Sequence, residues 1–183
     1  SAFVIFKIFK INSDIIRFQS LSGILKVKII DNLITLDFPS KKLFRKNKIP
    51  NLIIEGLGIK SELCFYNEDF LMVFNNEDQI LNIVPDFDKL KKLPLRGIIV
   101  TAQGNDYDFI SRSFFPKLGV LEDPVTGSAH TMLIPYWSNK LGKKKMIAKQ
   151  ASERTGLLIC ENKGKRVLIS GYCKLYMKGN IRI

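Results

Sequence analysis

Apolar residues change their spacing several times along this chain, and each change predicts an element. Ala2, Phe3, Ile5, Phe6 and Phe9 predict a helix over Ser1–Phe9, and its lack of a polar face predicts burial on most sides. Ile15–Gln19, Ile24–Ile30 and Leu33–Phe38 then read as strands, separated by turn signals at Ser20–Gly23 and Asp31-Asn32. Strict alternation in Lys26-Val27-Lys28-Ile29 predicts a half-exposed antiparallel sheet. From Pro39 to Pro50 the chain is basic and without period, which predicts a linker.

The second stretch is longer. Leu52–Leu57 predicts a short helix ended by Gly58, Glu62–Tyr66 and Phe70–Phe74 predict strands, and Asp86–Leu93 predicts a helix with its acid at the favourable end. The nearly all-apolar Gly97–Ala102 predicts a central strand, with Phe109–Phe115 beside it. Ala129, Met132, Leu133, Tyr136, Trp137 and Leu141 recur at steps of three and four, which predicts a helix over Ser128–Leu141 stopped by Gly142. Met146–Ala151, Gly156–Cys160, Arg166–Ile169 and Tyr172–Met177 complete the pattern as strands. Two halves, each with one buried helix and many strands, make an α+β chain with a mostly antiparallel sheet.

Composition narrows the function. No apolar run approaches the span of a bilayer, and the start lacks the basic region of a secretory signal. Cys64, Cys160 and Cys173 form no close pair, which suits a reducing compartment, the cytoplasm by default, and argues against a zinc site. A net charge of +12 raises nucleic-acid binding as an alternative. Yet 22 Lys stand against seven Arg, whereas a base reader favours the bidentate arginine fork. A positive field that draws in acidic substrates is the simpler reading.

Chemistry concentrates at Glu122-Asp123-Pro124-Val125-Thr126-Gly127-Ser128-Ala129-His130. A carboxylate sits beside a proline-bearing turn, and Thr126 or Ser128 is placed to cap the helix that follows. The N–H groups of Gly127, Ser128 and Ala129 form the first turn, where unpaired donors and the helix dipole favour an anion. Asp123 is therefore the candidate acid/base group, and Gly127, Ser128 and Ala129 the candidate substrate-carboxylate site. His130, the single histidine, and Arg112 are weaker candidates: His130 reads as structural, Arg112 as holding the motif loop or neutralising a substrate, with the structural role favoured. The structural alternative for Asp123 is a pairing with Arg112. Ser128 and His130 are no hydrolase pair, because residues two apart on a helix diverge and no Gly-x-Ser-x-Gly elbow is present. Neither a phosphate loop, a dinucleotide fingerprint nor a metal-ligand cluster is present, so no cofactor and no metal is expected.

The same stretch, with Ser111-Arg112-Ser113-Phe114-Phe115-Pro116 before it and Gln150-Ala151-Ser152-Glu153-Arg154-Thr155-Gly156 after it, resembles the phenazine-biosynthesis-like (PhzF-like) isomerases. Leu36-Asp37-Phe38-Pro39 and Val84-Pro85-Asp86-Phe87 fit as well, while Thr155 replaces a glycine of the family pattern. The resemblance implies a diaminopimelate epimerase-like fold, in which a curled sheet wraps a central helix in each of two related domains. It implies a remnant of the first domain over 1–46 and a complete second domain over 47–183. It also implies a cofactor-independent proton shift next to a carboxylate of a small substrate.

Family members carry a glutamate, expected to be the general base, and a Gly-His-Ala-Thr element just before a helix like Ser1–Phe6. Without them, residues 1–183 are expected to be nearly inactive. A homodimer, or association with an N-terminal segment, is the expected partnership. A non-catalytic small-molecule binding module is the alternative to an enzyme.

Overall fold

Eleven strands form one continuous, unclosed sheet in a computed structural model that describes residues 1–20, 23–30 and 32–181. In chain order they are β1 (Ile15–Ser20), β2 (Gly23–Ile30), β3 (Leu33–Pro39), β4 (Phe44–Arg45), β5 (Leu63–Tyr66), β6 (Phe70–Val73), β7 (Ile98–Gln103), β8 (Phe109–Phe114), β9 (Lys145–Gln150), β10 (Gly156–Asn162) and β11 (Arg166–Tyr172). The helices are α1 (Ala2–Lys7), α2 (Asn51–Leu57), α3 (Glu77–Leu81), α4 (Phe87–Leu90) and α5 (Gly127–Leu141), with a 3-10 turn at Pro116–Leu118. Across the sheet the order is β1-β2-β3-β11-β10-β9-β8-β7-β6-β5-β4. Among the described residues only β6–β7 and β8–β9 run parallel. This is the expected α+β fold with a mostly antiparallel sheet.

The middle of the sheet is covered on both faces, which is why its strands are apolar at successive positions. Phe70, Met72, Ile98, Val100, Ile110 and Phe114 face Ile53, Leu57, Ile80 and Leu90 of α2, α3 and α4. Leu71, Ile99 and Phe109 point the other way, into a core with Ala129, Met132, Leu133, Ile134 and Trp137 of α5. Strands β9, β10 and β11 curl round the same helix through Met146, Ala148, Leu158, Cys160, Val167 and Ile169. A smaller cluster of Phe6, Val27 and Ile34 holds α1 against β2 and β3.

One proline ties the linker to this core. Pro135 lies inside α5, so it has no N–H to give the Thr131 carbonyl one turn back. The Lys41 N–H takes that place, donating to Thr131 O at 3.0 Å. The chain crossing from β3 to β4 is thereby held to the helix by a group the helix cannot use itself.

Several expectations are corrected. The first helix is shorter than Ser1–Phe9, and only Phe6 is buried in it, while Phe9 is 70% exposed. It packs by one face on a three-stranded layer, so burial on most sides does not occur. The expected linker over Pro39–Pro50 contains β4, which pairs with β5 through Phe44 and Tyr66. The predicted strand Tyr172–Met177 is absent beyond Tyr172, where β11 ends and Tyr176 stands fully in solvent.

Asp86 does cap a helix, accepting from the Lys89 N–H, but that helix is a single turn over Phe87–Leu90. The apolar stripe read from α5 understates its burial, because His130, Thr131 and Ser138 are buried too. The turn signals at Leu21, Ser22 and Asp31 lie outside the described residues.

Candidate active site

The loop from Glu122 to Thr126 is fixed by partners from three directions. Its Asp123 N–H donates to Ser113 O of β8 at 2.9 Å. Ser152 Oγ donates to Pro124 O at 2.9 Å. Val125 packs directly on Gly156 of β10, where a Cβ would collide with it. Arg112, on the α2–α4 face of β8, grips Glu122 with both edges of a fork: Nε to Oε1 at 2.8 Å and Nη2 to Oε2 at 2.9 Å. Its remaining Nη1 donates to the carbonyls of Ile80 at 3.1 Å and Ile83 at 2.8 Å. So Arg112 joins the loop to the end of α3. It pairs with Glu122, and among the described residues the alternative pairing with Asp123 does not form.

Thr126 sits at the centre of a second set of hydrogen bonds. Its N–H donates to Gln150 Oε1 at 2.8 Å, and its hydroxyl donates to Asp123 Oδ2 at 2.7 Å. Gln150 Nε2 donates both to Asp123 O at 2.7 Å and to Thr126 Oγ1 at 3.1 Å. Gln150 is fully buried at the end of β9, in register with Ser111 of β8 and Gly156 of β10. Thr126 occupies the N-cap position of α5, yet its hydroxyl makes no cap bond because it is turned to Asp123. The expected capping by Thr126 is therefore replaced by a bond to the candidate acid/base group.

His130 lies wholly inside the core, against Phe109 at 6.0 Å between ring centroids. Burial lowers its pKa to about 4, against the opposing pull of the Thr126 carbonyl, which lies 2.8 Å from Nδ1. A neutral ring must donate to that carbonyl from Nδ1, which leaves Nε2 as an acceptor. Nε2, Ser111 Oγ and Ser113 Oγ are buried without partners among the described residues. His130 thus supports the first turn of α5 from inside and does not reach the surface.

Asp123, Thr126 and Ser128 open onto one concavity of about 220 Å³, walled by Phe115, Leu118, Val120 and Arg96. Of the three predicted first-turn residues, Ser128 lines it. Ala129 is fully buried, and a Cβ on Gly127 would meet Phe38 and Leu36 of β3 at 3.6 and 3.8 Å. Arg96 was not singled out in the sequence, since a lone arginine before a strand carries no motif. In the fold its Nε and Nη2 are held by the buried Asp69 at 3.1 and 2.7 Å. Those bonds, together with Glu68 nearby, raise its pKa and hold the guanidinium at the pocket wall.

A larger concavity of about 760 Å³ lies at the other end of α5, between Lys41, Lys42, Lys140 and Lys165, on a floor that includes Phe65 and Tyr136. Among the described residues it is lined by no carboxylate, thiol or imidazole, whereas the smaller one is lined by Asp123.

A family model described as phenazine biosynthesis-like protein matches residues 1–179. An uncharacterized isomerase of Pseudomonas aeruginosa is 43% identical over 93% of this chain, which spans 66% of that protein, just under two thirds of its length. A crystal structure of a phenazine biosynthesis PhzF-family protein from Enterococcus faecalis superposes with a TM-score of 0.94 at 42% identity, covering all of this chain and 70% of that one. The hydroxyproline epimerase of Agrobacterium vitis, solved with bound trans-4-hydroxy-L-proline, has a TM-score of 0.52 at 10% identity over 93% of this chain and 60% of its own, a likeness of fold alone.

Proposed function

The chain belongs to the phenazine biosynthesis-like protein family, and from that premise we propose a cofactor-independent isomerase that shifts or inverts a proton next to a carboxylate of a small substrate. One observation carries the proposal: a carboxyl group, a serine hydroxyl and the start of a buried helix meet at a single small pocket. A carbon-bound proton beside a carboxylate is weakly acidic. Its removal is eased when the substrate's negative charge rests against fixed N–H donors.

In this reading the first turn of α5, through Gly127, Ser128 and Ala129, receives the substrate carboxylate. Asp123 gives or takes the proton that moves, or orients the substituent beside it. Phe115, Leu118 and Val120 give the pocket an apolar wall for the substrate's carbon skeleton. Among the described residues Asp123 is the one carboxyl group lining the pocket. The second acid/base group, expected to be a glutamate, is assigned to the part of the family's length outside residues 1–183. Those residues alone are accordingly expected to have little activity. The buried free thiols Cys64 and Cys160 suit the cytoplasm, where we place the protein.

Deuterium exchange tests the reaction class without knowledge of the product. The protein at the length of its relatives, incubated in D2O with a panel of small cyclic and amino-acid carboxylates, should introduce deuterium at the carbon next to the carboxylate of one of them. Asp123→Asn should lower that exchange by about 100-fold or more. Exchange undiminished in Asp123→Asn would remove Asp123 from the mechanism.

A further inference from the structure

We infer that Gln150 is a positioning residue that acts through Thr126 to fix the Asp123 carboxyl, holding Oδ2 as an acceptor and leaving Oδ1 to carry the exchangeable proton. The argument is one of donor counting, and it needs no assumption about substrate. Gln150 Oε1 faces the Thr126 N–H, which can only donate, and Nε2 faces the Asp123 carbonyl, which can only accept. These two backbone groups fix the orientation of the amide.

The second hydrogen on Nε2 is then directed at Thr126 Oγ1, 3.1 Å away. Having accepted there, the hydroxyl has one proton left to give, and Asp123 Oδ2 lies 2.7 Å from it. Oδ2 accepts this bond whether the carboxyl is charged or neutral, so when Asp123 takes up a proton Oδ2 stays the carbonyl-like oxygen and the acid proton goes to Oδ1. Among the described residues no group bonds Oδ1, and Asp123 lines the pocket. Full burial of Gln150 excludes water from competing for its amide.

The assignment of Oδ1 as the working oxygen rests on the proposed function, whereas the direction of the hydrogen bonds does not. NMR on the full chain reads those bonds directly. The Thr126 hydroxyl proton should appear as a slowly exchanging resonance, and its replacement by deuterium should shift the Asp123 carboxyl carbon.

Thr126→Ser should keep that shift and Thr126→Val should lack it. Gln150→Leu should speed exchange of the hydroxyl proton with solvent by about tenfold, the worth of one hydrogen bond. An Asp123 carboxyl carbon indifferent to deuteration in the unsubstituted chain overturns the inference, and that measurement needs no variant to fold. Hydroxyl exchange unaltered in a folded Gln150→Leu chain overturns it equally. If the isotope shift is present while Asp123→Asn leaves deuterium exchange into substrate undiminished, the proposed function fails and the hydrogen-bond order stands.

Discussion

At Gly156 the space for one methyl group decides whether the active loop keeps its place. The Val125 side chain fills the position a Cβ would take, so Gly156→Ala must push Val125, and with it Asp123 and Thr126. A loss of about 1–3 kcal/mol is expected in urea unfolding, with the loop amides as the resonances that move most. His130 gives a residue-scale effect of pH. Its folded pKa of about 4 lies below the ordinary 6.5, so the unfolded chain binds the extra proton. The stabilisation is full above pH 6.5 and is lost as the pH falls toward 4, by at most about 3 kcal/mol. Unfolding free energies at pH 7 and pH 5 should differ by less in His130→Phe than in the parent chain. An equal difference would show that other groups account for the loss. Thiol chemistry follows the same logic, because burial raises Cys64 to about 11 and Cys160 to about 12. Only the exposed Cys173 should react promptly with a thiol reagent at neutral pH.

Among the elements, Arg112 and Pro135 make the most informative tests. Arg112→Lys keeps the charge but loses the fork that holds Glu122 and the carbonyls at the end of α3. A cost of about 1–3 kcal/mol is expected, together with faster amide exchange through 119–126. Pro135→Ala restores an N–H that competes for the Thr131 carbonyl, so the Lys41 amide should lose protection from exchange while α5 keeps its own. Elements written in local pattern were legible: the alternation of Lys26 to Ile29, the nearly all-apolar run ending at Ala102, and the periodic α5. The two-residue β4 was not, because Phe44 and Arg45 are strand only by virtue of β5 beside them. The one-turn α3 offers Asn76 as a cap but too few residues to show a period. At the site the Asp123 loop was plain in the sequence, whereas the donor order at Asp123 depends on Gln150, brought beneath it by the β8–β9 register. Arg96 reaches the pocket through the buried Asp69, 27 residues away, and no spacing announces that.

On the scale of the whole molecule, charge and connectivity make separate demands. The net charge of +12 is carried mainly by lysine, so any nucleic-acid binding should be weak and fall steeply between 50 and 200 mM salt. A tight, sequence-selective complex at high salt would contradict the isomerase reading. We retain the division at residues 46 and 47 as a proposal for the domain boundary, and independent unfolding of the two parts would support it. Those parts share a seam: β3 pairs along its whole length with β11, and Thr35 Oγ1 meets Ser170 Oγ at 2.9 Å across a separation of 135 residues. On a ribosome adding roughly 5–20 residues per second, β3 therefore waits on the order of ten seconds for its second neighbour. During that wait it exposes the backbone edge and the apolar Leu36 and Phe38 that β11 and α5 later cover. Yield in a host cell should accordingly depend more on chaperone supply and translation speed than on the stability of the finished fold.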